Sequence, residues 1–193
     1  MMMKRLFLPV LLAGLLLGGC ASEPPRLVVL PAAPAASPVA AQPARLLLRP
    51  LRVPGYLDNL PVVTQVQGGR VTQAAQVEWA ERLSDGAARV LSGALASRLG
   101  PGNLLIEGDG RIPDADLSID LTALDPQADG TLRLAARWTL VGTRGDRPVR
   151  AGQEDFSVPL AGGDPADVAA SITAALARLA DRLAAEAAVF PLR

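Results

Sequence analysis

The amino-acid sequence predicts an α+β fold in a single domain, with an antiparallel or mixed β-sheet and two amphipathic helices packed on one of its faces. Residues 116–124 and 131–141 alternate apolar and polar side chains with the period of a β-strand. Residues 83–99 and a segment that begins at 164 repeat their apolar side chains with helical spacing. The length of 193 residues suits one domain around one hydrophobic core. A sheet with one apolar face needs a cover, and two helices can supply it.

The first twenty residues have the organisation of a secretory signal peptide. Lys4 and Arg5 precede an apolar run over residues 6–17, which is too short to span a bilayer core, since a helix needs about 20 residues to do so. The run ends in Leu-Gly-Gly-Cys, which resembles a bacterial lipobox. We therefore expect residues 1–19 to be a signal peptide and Cys20 to carry diacylglycerol. An ordinary signal peptide followed by a stray cysteine is the alternative.

The segment after Cys20 is expected to be a lipidated tether over residues 20–25, followed by one domain over residues 26–193. The domain opens with a short β-branched run, and residues 31–44 are so rich in alanine and proline that we expect an extended, poorly ordered loop. Alternating leucines predict a strand within residues 45–53. The next two strands are expected over residues 61–66 and 70–74, joined by a glycine turn.

Two helices are predicted from their apolar stripes and end signals. The first covers residues 83–99 and should end at the Gly-Pro-Gly sequence of residues 100–102. The second should begin at Asp164, because aspartate is a good N-cap and Pro165 suits the first helical position. The apolar stripes of the two helices are Leu83, Ala87, Val90, Leu91, Ala94, Leu95 and Leu99, and Val168, Ile172, Leu176, Leu179 and Leu183.

The second half of the sheet is predicted as a three-stranded meander, with a third strand near residues 149–158. Two of its strands should turn every second side chain towards the helices. The side chains expected on that inner face are Leu117, Ile119, Leu121 and Ala123 in one strand, and Leu132, Leu134, Ala136, Trp138 and Leu140 in the next.

The composition excludes many kinds of chemistry. The chain has no histidine and a single cysteine, so it cannot form a Ser-His-Asp or Cys-His site or a cysteine–histidine zinc site. Nineteen basic and nineteen acidic residues balance, so nucleic acid is not an expected partner. Asp114, Asp116 and Asp120 lack the spacing of a calcium-binding loop. We expect that the protein is not an enzyme and binds no cofactor or metal ion. A periplasmic hydrolase that uses paired carboxylates is a distant alternative.

Four residues are candidates for contact with a partner. Tyr56, Leu57 and Asp58 lie in a segment, residues 54–59, whose proline, glycine, aspartate and asparagine content predicts a loop. A rigid aromatic side chain next to an apolar one on a loop is a plausible interface anchor. Tyr56 could instead fold back over the edge of the core with its hydroxyl in water. Trp79 precedes the first helix and could either pack against the helix entry or be exposed for a partner.

These patterns together resemble one family, the PqiC/YmbA-type ABC transport auxiliary lipoproteins. The resemblance covers nearly the whole chain after Cys20 and depends on the order of several motifs. They are the lipobox, Val53-Pro54-Gly55-Tyr56-Leu57-Asp58, the run Pro61-Val62-Val63, Glu78-Trp79-Ala80-Glu81-Arg82-Leu83 leading into Val90-Leu91 and Leu95, and the closing amphipathic helix.

The resemblance implies a subunit on the periplasmic face of the outer membrane, held there by its lipid. Position 21 agrees with this. An acidic residue directly after the lipidated cysteine is the usual signal for inner-membrane retention in enterobacteria, and this chain has Ala21 there instead. The implied partners are a mammalian-cell-entry (MCE) domain protein and an inner-membrane ABC transporter that together move lipid between membranes, and a homo-oligomer is a further option. The alternative is a lipid-carrying or lipoprotein-chaperone module with an apolar cavity between sheet and helices.

Overall fold

The computed structural model describes residues 23–39 and 44–191. The predicted signal peptide, Cys20 and residues 40–43 of the predicted loop lie outside the described residues. Within them the chain forms eight strands and two helices. They are β1 (Arg26–Val28), β2 (Leu46–Leu48), β3 (Pro61–Gln67), β4 (Arg70–Trp79), α1 (Leu83–Leu99), β5 (Leu104–Leu105), β6 (Ala115–Pro126), β7 (Thr131–Gly142), β8 (Val149–Pro159) and α2 (Pro165–Ala188).

The α+β class is confirmed, and the strands divide between two mixed sheets. The larger sheet has the order β5-β2-β6-β7-β8, in which β2 runs parallel to both of its neighbours and β6, β7 and β8 form an antiparallel meander. The smaller sheet has the order β1-β4-β3, with β1 parallel to β4 and a β3–β4 hairpin. The hairpin turns at Gly68 and Gly69, whose φ angles of 55° and 78° are ones that glycine adopts without strain.

The predicted alternation places the inner face of β6 and β7 correctly as far as Leu121. Ile119 pairs with Trp138 and Leu121 pairs with Ala136, and directly paired residues share a face. A register shift then follows between Leu121 and Ala123, so Ala123 pairs with Ala135. Ala123 therefore lies on the outer face, and its expected place on the inner face is wrong. The extra residue of a β-bulge reverses the sides that later side chains face.

Both helices lie where the sequence predicts them. Asp164 caps α2, because its Oδ1 accepts a hydrogen bond from the backbone N–H of Ala166 at 3.1 Å. Leu91 and Leu176, in the middle of the two apolar stripes, have no exposed surface. The helices pack against each other, and Nε of the buried Arg98 donates to Oδ1 of Asp181 at 2.5 Å.

Charged side chains tie α2 to the edge strand β8. Arg182 lies 3.1 Å from Glu154, and Arg150 lies 2.7 Å from Glu186. The guanidinium of Arg178 stacks over the ring of Phe156, 4.5 Å from its centre. α2 therefore covers the inner face of the meander through polar contacts at its rim as well as through its apolar stripe.

The described part of the alanine- and proline-rich segment, residues 31–39, has no regular secondary structure and is hydrogen-bonded to both helices. Thr173 of α2 donates its hydroxyl hydrogen to the carbonyl of Pro31 at 3.1 Å. The backbone N–H of Val39 donates to the carbonyl of Arg98 at the end of α1, at 2.8 Å. The segment is thus bonded to the helix pair near each of its ends.

One close contact in the meander requires glycine. The ring of Trp138, on the inner face of β7, lies against Gly152 of β8. A methyl group built on Gly152 would lie 2.5 Å from Cζ2 and 3.0 Å from Nε1 of Trp138, which is too close for non-bonded atoms. The residue opposite this tryptophan must therefore lack a side chain.

We predict that Gly152→Ala lowers the free energy of unfolding by about 1–3 kcal/mol, because the added methyl group must displace the Trp138 ring. The control is Gly93→Ala on the exposed side of α1, where nothing lies within 4 Å of the added group. That change should raise stability by about 0.5–1 kcal/mol, because alanine favours a helix over glycine. Urea unfolding midpoints measure both; equal stability of Gly152→Ala and the parent would contradict the contact.

Candidate functional site

Residues 54–59 form a closed turn between β2 and β3. The backbone N–H groups of Leu57 and Asp58 both donate to the carbonyl of Pro54, at 2.9 Å and 3.2 Å. The side-chain amide of Asn59 donates to the carbonyl of Gly55 at 3.0 Å. The predicted loop is present, and its own hydrogen bonds define its shape.

Tyr56 is half-exposed, and its hydroxyl is bonded to the protein. The Tyr56 hydroxyl donates to Oδ1 of Asp125 at 2.5 Å, and Asp125 itself is only 8% exposed. Burial raises the pKa of Tyr56 well above its usual value, and the bond to Asp125 and the charge of that carboxylate raise it further, while the nearby Arg133 opposes them. The ring is therefore held by a hydrogen bond, with about two fifths of its surface open to solvent.

Asp125 reaches Tyr56 because of the bulge in β6. It pairs with Arg133 and so faces the outer side of the larger sheet, together with Ala123. Unbroken alternation from Leu121 would turn Asp125 towards the helices, which is why the strand pattern alone does not reveal it. The sequence signal that could have indicated it is the adjacent apolar pair Ala123 and Leu124, which breaks the alternation of β6 just before Asp125.

Asp58 caps a helix that has no cap of its own. The residue that precedes α1, Arg82, makes no capping hydrogen bond with its side chain. Oδ1 of Asp58 instead accepts from the backbone N–H of Ser84 at 3.0 Å, and Oδ2 lies 3.5 Å from Arg82. Partial burial disfavours the charged form of Asp58, but the bonds to Ser84 and the charge of Arg82 outweigh it and lower the pKa of the carboxyl.

Leu57 and Trp79 are core residues in the structure. Leu57 is 2% exposed and Trp79 is 4% exposed. Trp79 is the last residue of strand β4, and its backbone N–H donates to the carbonyl of Leu60 at 2.6 Å. The structure therefore brings Tyr56, Leu57 and Asp58 together in one loop beside Trp79, and of these four side chains Tyr56 offers the largest exposed surface.

The outer face of the larger sheet carries ordered ion pairs near Tyr56. Arg133 binds Asp155 with two bonds, Nε to Oδ1 at 2.9 Å and Nη2 to Oδ2 at 2.6 Å. Arg137 lies 3.2 Å from Asp120. Exposed pairs of this kind contribute only about 0–1 kcal/mol to folding.

Two open depressions lie on this face and share Arg137. The first has a volume of about 410 Å³ and the second about 460 Å³. Both are open rather than enclosed, and charged side chains contribute to the lining of each, which suits contact with a protein surface. The first is lined by Arg49, Arg52, Ser118, Asp120 and Thr139 among others, and the second by Thr122, Arg133, Gln153 and Asp155 among others.

The acidic residues considered for calcium have arginine partners. Arg45 binds Asp114 through its backbone N–H, Nε and Nη2, all at 3.0–3.1 Å, and these bonds lower the pKa of Asp114. Asp116 accepts from Arg49 at 2.7 Å. Among residues 23–39 and 44–191 there is no group of three or more acidic, cysteine or histidine residues placed to hold a metal ion. Neither helix in this part of the chain combines the length and the apolar character that crossing a membrane requires.

Comparison with known proteins gives a family and a fold. The family model described as ABC-type transport auxiliary lipoprotein component matches residues 29–184. One solved structure, of an uncharacterised protein, has a TM-score of 0.68 and 19% identity, and the match covers 85% of this chain and 99% of that one. Protein XCC0632 from Xanthomonas campestris, assigned to DUF330, has a TM-score of 0.67 and 16% identity, covering 86% and 95%. A search of curated proteins found no match. At these identities the solved structures show a shared fold.

We predict that Tyr56 does not ionise near pH 10 in the folded protein, because burial and Asp125 favour its neutral form. Tyr56 is the only tyrosine, so the absorbance of tyrosinate at 295 nm reports this side chain alone. Folding raises the pKa of Tyr56, so this side chain stabilises the folded state at pH values below its unfolded pKa of about 10. That stabilisation is lost as the pH rises towards the folded pKa. The chain in urea should titrate near 10, and Asp125→Asn should lower the folded midpoint. A folded midpoint near 10 would contradict the hydrogen bond.

Proposed function

The chain belongs to the family of ABC-type transport auxiliary lipoprotein components, and from this premise we propose that it is the outer-membrane-anchored docking subunit of an intermembrane lipid transport system. The family places it among membrane-anchored periplasmic components that assist ABC transporters. The proposed partners are an MCE-domain protein and, through it, an inner-membrane ABC transporter. In this role the protein binds and positions other components and carries out no reaction itself.

The proposed anchor is the acylated sulfur of Cys20. Leu-Gly-Gly-Cys follows an apolar run at the start of the chain, and the matched family is one of lipoproteins. Several acyl chains on one terminus exceed the single chain that gives only marginal, reversible binding, so the attachment should be stable. Ala21 in the next position supports sorting to the outer membrane.

The proposed docking surface is the outer face of the larger sheet with Tyr56 at its rim. This surface combines what protein interfaces commonly use: a partly exposed aromatic ring held in one position, and arginines whose guanidinium groups are oriented by carboxylates. Arg133 connects the two parts, since it pairs with Asp155 and lies near Tyr56. The single observation that carries the proposal is this face of paired arginines and aspartates opposite the helices, with the half-exposed ring of Tyr56 at its rim.

The packing between the helices and the sheet favours docking over the carriage of lipid. Leu95 of α1, Leu179 of α2 and Leu134 of β7 have no exposed surface. The two depressions described above lie on the opposite face and are open, with charged side chains among their lining residues. A filled core and a polar outer face suit a subunit that binds protein rather than an acyl chain.

We predict that Cys20→Ser prevents acylation and releases the protein from the outer-membrane fraction of an enterobacterial host, because the thiol is the only one in the chain. The matched variant is Ala21→Asp, which should remain acylated but move to the inner membrane. Fractionation and metabolic labelling with a radioactive fatty acid measure both. Full retention of Cys20→Ser in the outer membrane would refute the anchor, and an unchanged position of Ala21→Asp would refute the sorting.

We predict that Tyr56→Ala abolishes capture of an MCE-domain partner while Tyr56→Phe retains it. Both variants remove the hydrogen bond to Asp125 and should lose about 1–3 kcal/mol for it, since each leaves a buried carboxylate without that donor; Tyr56→Ala should lose more, because it also removes the buried part of the ring. Only Tyr56→Ala removes the ring. A detergent pulldown measures binding, and thermal midpoints establish that both variants are folded at the temperature of the pulldown. Equal capture by Tyr56→Ala and the parent protein would refute Tyr56 as an anchor.

A further inference from the structure

Two exposed apolar side chains lie close to the proposed lipid anchor along the chain. Leu27 is 65% exposed and Val29 is 53% exposed. Between them Val28 is partly buried, and Leu30, which follows, is 2% exposed. This alternation shows that Leu27 and Val29 point to the same side of an extended segment, away from the core. The segment includes β1, an edge strand of the smaller sheet.

Chain length limits the distance of this pair from the membrane. Leu27 is the seventh residue after Cys20, and an extended chain spans at most about 3.3–3.6 Å per residue. The acylated cysteine therefore keeps Leu27 within roughly 25 Å of the bilayer surface. Of the described strands and helices, β1 is the first after the tether.

The charges around the pair are mixed. Arg26 precedes Leu27, Glu78 of β4 pairs directly with it, and Glu23 lies in the tether. This arrangement has no excess of positive charge to attract anionic lipid headgroups. Contact with a bilayer at this place must come from the apolar side chains themselves.

We propose that Leu27 and Val29 are membrane contacts, so that the acyl chains of Cys20 hold β1 against the bilayer and these two side chains enter the boundary between headgroups and acyl chains. Two side chains are too few to bind a free domain to lipid. The anchor makes the contact intramolecular, and a high effective concentration allows a weak contact to form. The smaller sheet then faces the membrane, and the domain is held in one orientation. This inference rests on the proposed acylation of Cys20.

The test is a comparison of single-cysteine reporters in the acylated full chain. Val29→Cys is labelled with the environment-sensitive fluorophore NBD, and Val149→Cys and Val189→Cys, at valines that are each 63% exposed, are the controls. The sulfur of Cys20 is a thioether in the acylated protein and does not react with the label. The protein is reconstituted into vesicles of phosphatidylethanolamine and phosphatidylglycerol, with and without nitroxide-labelled phospholipid.

We expect the nitroxide lipid to quench the label at position 29 at least threefold more than at either control position. The further change Leu27→Ser should reduce that quenching, and non-acylated Cys20→Ser should show none. Equal quenching at all three positions, or more at a control, overturns the inference. A blue shift at position 29 without quenching also overturns it, since protein would then cover the pair. Failure of the acylated chain to float with the vesicles refutes the anchor instead, and the inference falls with it.

Discussion

The burial of one face of α2 is the interaction on which the rest of the structure depends. Leu176, Leu179 and Leu183 have no exposed surface, and the helix contacts α1, the strands β7 and β8 of the larger sheet, and β1 and β3 of the smaller one. Full burial of a leucine side chain contributes about 1.5–3 kcal/mol relative to an exposed one. Because α2 meets both sheets, the same apolar stripe that covers the meander also positions the smaller sheet beside it.

The bulge in β6 lets one strand serve the core and the outer face. Before it, Ile119 and Leu121 face the helices, and after it Leu124 does so again, while Asp125 turns outward. An unbroken strand could not keep Leu121 and Leu124 on one face, because they are an odd number of residues apart. The extra residue preserves the apolar core and places a carboxylate where the hydroxyl of Tyr56 can bond to it.

These two features divide the surface of the domain into regions with different chemistry. The helices cover the inner face of the larger sheet, so its outer face can be polar and carry the pairs of Arg133 and Arg137 with aspartates. The chain enters the domain at another place, the edge strand β1. The proposed docking face and the proposed membrane contact are thus built from different sheets, which would let one domain bind a partner while its lipid is in the membrane.

The sequence by itself determined the elements whose signals are local. Both helices and the meander follow from periods of 3.6 and 2 that backbone geometry imposes, while the cap at Asp164 and the hairpin turn follow from the residue types at those positions. It also located Tyr56 through the composition of its turn. Tertiary structure alone decided the division into two sheets, the bond from Tyr56 to Asp125 69 positions later, the burial of Trp79 and the use of Asp58 as a helix cap. These depend on which distant segments pack together, and a one-residue bulge reverses the side that a strand residue faces, so spacing along the chain does not contain the answer.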